Sequence, residues 1–466
     1  MQKKSVRNRS TVILPEWQML KSGWYRCKRI IAWLIDHTIP TLRQVRISER
    51  SQQMGMFLVG AQGRGKSELL KHILWQYVHR YRWASVVLLD PHGEMAKQIA
   101  RWRLPTRLDR IEYLEFGGAA SHSPSIDFLS DPYKSPEQLF WQARFYGAAL
   151  EVISDQEYTP LMQSLCTNCL HVLIEKPQTT LYDLLRFLDV HGSGNDLATY
   201  GAQRSCNPVV RSFFADYGKD TLKATRKALY SRIQMILASP ALQQILLRPT
   251  SFDLDKMTRQ RRIVVCDFGA LDTHSTQLLG QLLSAKVQLI AQKRRPALEY
   301  IHQYPPIHLI MDEAQNFVSE LTVTQINELR KCRLHLTLAT QDVSYLSPRL
   351  LNAALSLGVL AAGNCEGKSL AVMTKALGME DIEVLQGMPP GDFIIMGTRP
   401  PGSRKTTRPR WRCRVPKWLL FDVKYRRRNR RRYWNDQAWQ ARRRRFNRQH
   451  APKINNSVVV NNPRTI

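Results

Sequence analysis

The sequence predicts an α/β fold: a mostly parallel sheet covered on both faces, an inserted all-α domain, and a basic C-terminal tail. Three observations carry this. First, short apolar runs read as buried strands. They are Met56 to Gly60, Val86 to Asp90, Ile111 to Phe116, Ile263 to Phe268, Ile307 to Asp312, Leu334 to Thr340, Gly358 to Ala362 and Phe393 to Met396. Second, helical periodicity alternates with these runs, as in Leu69, Leu70, Ile73, Leu74 and Tyr77. Strands apolar at every position, alternating with helices, belong to parallel sheets buried on both sides. Third, strand signals nearly vanish between 132 and 250, where helical patterns replace them.

Taken in order, residues 1–50 form a basic N-terminal segment with helical character from Trp24 to Ile39. Its longest apolar run, Ile30 to Ile35, lies between Arg29 and Asp36. That run is far shorter than the roughly 20 residues that span a bilayer. No signal-peptide pattern precedes it. The expectation is a chain with no direct membrane span, cytoplasmic, and at most peripheral to an inner membrane through partners.

The sheet-forming core divides into 51–131 and 251–400. The insertion at 132–250 carries predicted helices over Gln138–Ser154, Thr159–Leu173, Leu181–Val190 and Leu222–Ser239. The tail, 401–466, is Arg-rich. Asp422 and Asp436 are its only acids up to His450, and its runs include 426–428, 430–432 and 442–445. Trp411, Trp418, Tyr433, Trp434 and Trp439 are interleaved with these cations, and residues 451–466 read as disordered.

The charge balance narrows the partners. Of 466 residues, 69 are Lys or Arg and 38 are acidic, a formal net charge of +31. An excess of this size, clustered in the tail, implies an anionic partner, with nucleic acid ahead of an acidic membrane surface. Arginine runs suit phosphate contacts, and interleaved aromatics suit stacking on unpaired bases. The 8 cysteines are irregularly spaced, which excludes a disulfide framework and fits a reducing compartment. Cys166 and Cys169 form a lone C-x-x-C whose helical setting points to core packing.

The chemistry gathers at three strand ends. Gly60-Ala-Gln-Gly63-Arg-Gly65-Lys66-Ser67 fits G-x-x-x-x-G-K-[ST], between a predicted strand and a predicted helix. Its glycines let backbone approach phosphate, Lys66 suits the β- and γ-phosphates of ATP, and the Ser67 hydroxyl suits Mg²⁺. Asp312-Glu313 ends the apolar run from Ile307. There Asp312 suits the metal and Glu313 suits proton acceptance from an attacking water. Gln341 ends the run from Leu334, where its amide can bond both the γ-phosphate and that water.

Together these segments resemble the HerA/FtsK superfamily of DNA-pumping ATPases. They are most similar to the soluble ATPase part of TraD/TraG-like coupling proteins of type IV secretion. The resemblance rests on Gly60–Ser67, Leu88-Leu-Asp-Pro-His-Gly-Glu94, Leu309-Ile-Met-Asp-Glu-Ala-Gln315 and Leu329 to Gln341. Phe252 to Gln292 and Pro389-Pro-Gly-Asp-Phe393 are also similar. It implies a RecA-like P-loop NTPase core in a homo-hexameric ring, ATP at subunit interfaces and DNA in the channel. It further implies an arginine supplied in trans, for which Arg330 holds the matching position and Arg333 and Arg232 are rivals. Asp90 and His92 fall beside the P-loop without an assigned step. The absence of N-terminal transmembrane helices departs from the coupling proteins. The expected function is an ATP-hydrolysing DNA translocase, in conjugative transfer with relaxase or secretion-subunit partners. The alternatives are an ATPase for protein secretion or pilus assembly, and a HerA-like DNA-end-processing translocase.

Overall fold

A computed structural model of the chain describes residues 11–17, 44–118, 123–130, 135–151, 158–217, 222–319, 323, 326, 328–398, 408, 410–415 and 433–451. The predicted helix from Trp24 to Ile39, Trp418, the arginine runs at 426–428 and 430–432, and residues 452–466 lie outside these.

Its strands are β1 (Thr11–Trp17), β2 (Gln44–Ser48), β3 (Met56–Val59), β4 (Ser85–Asp90), β5 (Ile111–Glu115) and β6 (Ile263–Asp267). They continue with β7 (Ile307–Met311), β8 (Leu334–Thr340), β9 (Val359–Ala362), β10 (Asp392–Met396) and β11 (Arg410–Arg414). All join one sheet in the order β2-β1-β11-β10-β9-β3-β8-β7-β4-β6-β5. From β9 to β5 every pairing is parallel. The other four strands extend the sheet antiparallel beyond β9.

Strands β3 to β10 are buried at every position, as their mostly apolar runs suggest. Successive side chains leave a strand on opposite faces. Val87 and Leu89 accordingly enter one core layer, and Val86 and Leu88 the other. Helices α1 (Lys66–His79) and α2 (Glu94–Ala100) cover the second layer.

The first layer continues into the helices between β5 and β6. These are α3 (Pro136–Glu151), α4 (Pro160–Glu175), α5 (Leu181–Leu188), α6 (Asn195–Arg204), α7 (Pro208–Ala215), α8 (Lys223–Leu237) and α9 (Pro240–Leu246). Helix α10 (Thr273–Gln292) lies between them and the sheet, burying Leu282 and Leu289. Several of these helices start with proline behind a polar cap. Thr159 accepts from the Met162 N–H at 3.3 Å, Asn207 from Val209 at 3.0 Å and Ser239 from Leu242 at 3.5 Å. Proline at the first helical position has no N–H to leave unsatisfied, and the cap oxygen serves a donor behind it. Cys166 and Cys169 are fully buried in α4, as free thiols within its packed face.

The expected tail contains ordered structure. β11 was hidden by its arginines, Arg410, Arg412 and Arg414, which alternate with Trp411 and the buried Cys413. Asp392 neutralises two of them, at 3.1 Å from Arg412 and 2.5 Å from Arg414. Helix α11 (Asp436–His450) packs on β5, with Trp439 and Phe446 against Tyr113. Trp439 and Tyr433 are therefore buried in the core, which corrects the expectation that they stand ready to stack on bases.

Candidate active site

The parallel sheet brings every sequence-predicted residue but the arginines to one edge. The loops after β3, β4, β7 and β8 all emerge at the C-terminal ends of neighbouring strands. Residues 60–67 leave β3 and open α1. The Gly60 N–H donates to the Thr340 carbonyl at 3.3 Å, and Ala61 donates to Asn364 at 2.8 Å. Gly63 and Gly65 hold φ of 70° and 96°, a region that costs a side-chain-bearing residue about 1 kcal/mol or more. A Cβ on Gly65 would also sit 3.2 Å from Gly391, whose N–H donates to the Arg64 carbonyl at 2.9 Å.

This loop fits a polyphosphate. Among the described residues, the amides of Gly63, Gly65, Lys66 and Ser67 have no backbone acceptor. Unpaired amides at the positive end of a helix are a ready anion cradle. Lys66 is buried, and its Nζ folds onto the Gly60 and Ala61 carbonyls at 2.6 and 3.2 Å. Burial lowers its pKa, with Asp312 and Glu313 opposing.

The carboxylates meet the loop from β7. Ser67 Oγ donates to Asp312 Oδ2 at 3.0 Å, joining the two predicted metal-holding residues across the sheet. Burial raises the Asp312 pKa against the Ser67 bond and Lys66. A hydroxyl paired with a buried carboxylate is a donor set suited to a hard cation such as Mg²⁺.

Glu313 has φ of 52°, an uncommon conformation for a side-chain-bearing residue. Its two carboxylate oxygens are both engaged. Oε1 accepts from Gln341 Nε2, while Oε2 lies 3.1 Å from His92 Nε2 and 3.4 Å from Asn316 Nδ2. Gln341 and Glu313 thus form one unit, although they come from different strands. Thr340 and Gln315 tie the same two loops through a 3.0 Å bond.

Asp90 lies behind this unit. It caps α2, accepting from the Ala96 N–H at 2.7 Å and the His92 N–H at 3.2 Å. Burial pushes its carboxyl up to about 7. The cap fixes the turn that carries His92 to Glu313, a contact that the sequence left without a step.

No protein-family model and no curated protein matches the sequence. Solved structures do. The plasmid coupling protein TrwB in complex with the non-hydrolysable GTP analogue GDPNP has a TM-score of 0.52 at 13% identity. That match covers 86% of this chain and 95% of TrwB. TrwB in complex with ADP and Mg²⁺ gives 0.51 at 13% identity, covering 87% and 95%. VirB4 of Thermoanaerobacter pseudethanolicus gives 0.51 at 14% identity, covering 78% and 88%.

This chain has the fold of TrwB and VirB4. The motif-based resemblance is met at the level of the fold. On this TrwB-like fold the arginines lie apart from the P-loop. Arg330 precedes β8, at the opposite end of that seven-residue strand from Gln341, and is exposed. At about 3.3 Å per residue the strand alone separates them by roughly 20 Å. Arg333 is held by the His302 and Ile301 carbonyls at 2.8 and 3.4 Å. Arg232 is buried in α8 against Met162 and Tyr158. Among the described residues, no helix is long and apolar enough to cross a membrane.

Proposed function

We propose that this chain is an ATP-hydrolysing motor that moves DNA, acting in conjugative transfer or a related type IV secretion process. The observation that carries the reading is the junction of Ser67 with Asp312, directly beside the Glu313–Gln341 pair. The loop amides and Lys66 would hold the triphosphate, and Ser67 and Asp312 would hold Mg²⁺. When bound, Mg²⁺ supplies positive charge that offsets the phosphate oxygens.

The remaining work falls to this chain's own side chains. Glu313 accepts the proton of the attacking water, held in place by Gln341, His92 and Asn316. Gln341, bonded to that base, is placed to relay its state to β8. Arg330 serves a neighbouring subunit's site in a homo-hexameric ring. Its exposure and its distance from its own P-loop support that role over a cis one. Solved TrwB complexes with ADP and Mg²⁺ support the same ligands here.

DNA as cargo is supported by the net charge of +31. One observation favours a second reading, an ATPase energising protein secretion or pilus assembly. Part of the tail's basic and aromatic supply is spent inside the molecule, as Arg442 and Arg443 pair with Asp109 and Glu115. Steady-state ATPase rates with no polynucleotide, single-stranded DNA and duplex DNA separate the two. The motor reading expects stimulation by DNA that fades as salt rises, and no turnover from Lys66→Ala. Turnover indifferent to every DNA would leave the secretion reading, and no turnover at all would end both.

A further inference from the structure

A second cluster of ligating atoms lies in the helical insertion, between the last turn of α4 and the turn that joins α6 to α7. His171 and Glu175 are one helical turn apart on α4, and Cys206 sits in the turn, two residues after Arg204 ends α6. Residues at i and i+4 share a helix face, so the two α4 side chains converge. A ligand atom from each of the three residues lies within 4.8 Å of the other two. His171 Nε2 and Glu175 Oε2 are 3.9 Å apart.

Two of these atoms are otherwise unexplained. His171 is only 3% exposed, yet among the described residues its Nε2 has no hydrogen-bond partner, and neither does Glu175 Oε2. Leaving a buried polar atom unpaired costs about 1–3 kcal/mol. Two facing one another is a cost that a bound cation removes. Glu175 is already anchored, since its Oε1 accepts the Cys206 N–H at 2.5 Å. That bond holds the cysteine's backbone beside the other two ligands. Cys206 itself is exposed, so its thiol has room to turn and the site opens to solvent.

We propose that His171, Glu175 and Cys206 form a binding site for a borderline divalent transition metal of the Zn²⁺ class. The donor set selects that class: imidazole nitrogen, thiolate sulfur and carboxylate oxygen together suit Zn²⁺, whereas Mg²⁺ and Ca²⁺ take oxygen ligands. Bonds of about 2.0–2.3 Å put tetrahedral ligand atoms roughly 3.3–3.8 Å apart. The His171–Glu175 separation is already close to that, and the thiol closes the remainder by a rotamer change. Binding replaces the Cys206 S–H bond with an S–metal bond and releases one proton to solvent.

The surroundings shift the two ligands in opposite directions. Burial lowers the His171 pKa, with Glu175 opposing. Burial and Glu175 raise the Cys206 pKa, while Arg211 beside it lowers it. With water in the fourth position, the metal ties the α6–α7 turn to the end of α4. The role is a structural clamp in the insertion, remote from the loops that follow β3 and β7.

Cobalt tests this directly, because thiolate-to-cobalt charge transfer absorbs in the near ultraviolet and the oxygen-ligated P-loop site cannot produce it. The purified full chain, stripped with a chelator and held in excess Mg²⁺, is titrated with Co²⁺. We expect the band to saturate at one equivalent, to vanish in Cys206→Ser, and to need at least about tenfold more Co²⁺ in His171→Gln. Cys206 is exposed, so its variant folds even if the buried histidine change does not. The wild-type chain giving no band, or Cys206→Ser keeping it in full, would overturn the proposal.

Discussion

At the scale of single residues, the site depends on groups with no slack. Glu313 is bonded by Gln341 and lies within reach of His92 and Asn316, so its carboxylate is held in one orientation by three other side chains. A glutamine in its place fills the same volume but cannot take a proton. We expect Glu313→Gln to lower turnover at least about 10²-fold, the usual worth of a positioned base. Nucleotide binding should survive, because Lys66 and the loop amides are untouched. Steady-state hydrolysis alongside equilibrium binding of a nucleotide analogue checks both halves. Wild-type turnover in that variant would remove Glu313 from the role of base.

At the scale of elements, β7 and β8 carry a pH sensitivity unrelated to the site. His308 and His335 lie on these neighbouring strands with ring centroids 4.9 Å apart. Burial drives the His308 pKa well down, and burial takes His335 to about 4. A depressed histidine is neutral when folded but protonated when unfolded anywhere between about 4 and 6.5. Unfolding then takes up a proton, so stability is full above pH 6.5 and falls as pH drops toward 4. For His335 the loss amounts to roughly 3 kcal/mol at the acid end. Its Nδ1 bonds the Gln53 carbonyl at 2.9 Å, and an asparagine amide can donate similarly. In His335→Asn, urea unfolding at pH 7 and pH 4.5 should show a smaller acid loss than in the wild-type chain. An equal loss in both would place the acid sensitivity elsewhere.

The same scale shows what the sequence makes legible. Strands β3 to β10 are buried at every position and mostly apolar, because both faces are covered, and their spans are readable to within a residue or so. The P-loop and Asp312-Glu313 are equally visible, since each must follow a strand end. β11 was not, because its inward positions alternate with arginines whose partner, Asp392, is remote in sequence. The short helices α7 and α9 bury few apolar residues, although Asn207-Pro208 and Ser239-Pro240 mark their starts. The contact of His92 with Glu313 needs the register of β4 beside β7, which places Leu89 opposite Met311 and which no local pattern reveals.

At the scale of the whole molecule, helix α11 is clamped to the core. Arg442 forms a two-bond pair with Asp109 at 2.6 and 2.7 Å, and Arg443 pairs with Glu115. Helix α11 thereby covers β5, the outermost strand of the parallel run. Each pair is partly exposed and worth about 1 kcal/mol or less. Trp439, buried against Tyr113, is the larger anchor, and Trp439→Ala costs about 3 kcal/mol or more where it packs. Limited proteolysis should therefore cut before 436 much faster in Trp439→Ala than in Arg442→Ala, with the core fragment intact in both.

Assembly supplies the sharpest test of the arginine. Arg330 and the P-loop lie at opposite ends of β8, so one subunit cannot bring them together. If ATP is bound between subunits, each site takes its lysine from one chain and its arginine from the next. Lys66→Ala and Arg330→Ala should each be inactive alone, for different reasons. Mixed in equal amounts before assembly, they form some interfaces in which the intact Lys66 of one variant faces the intact Arg330 of the other. Random mixing makes about a quarter of the interfaces complete in a closed ring. Hydrolysis should then reappear at up to about that fraction of the wild-type rate, or less if sites must fire in concert. An arginine acting in cis could not be rescued this way. Wild-type turnover from Arg330→Ala alone, with assembly verified by mass, would return the role to Arg333 or Arg232. Of these, Arg333 is already held by two carbonyls and Arg232 is buried in α8, so either would have to break its present contacts to serve.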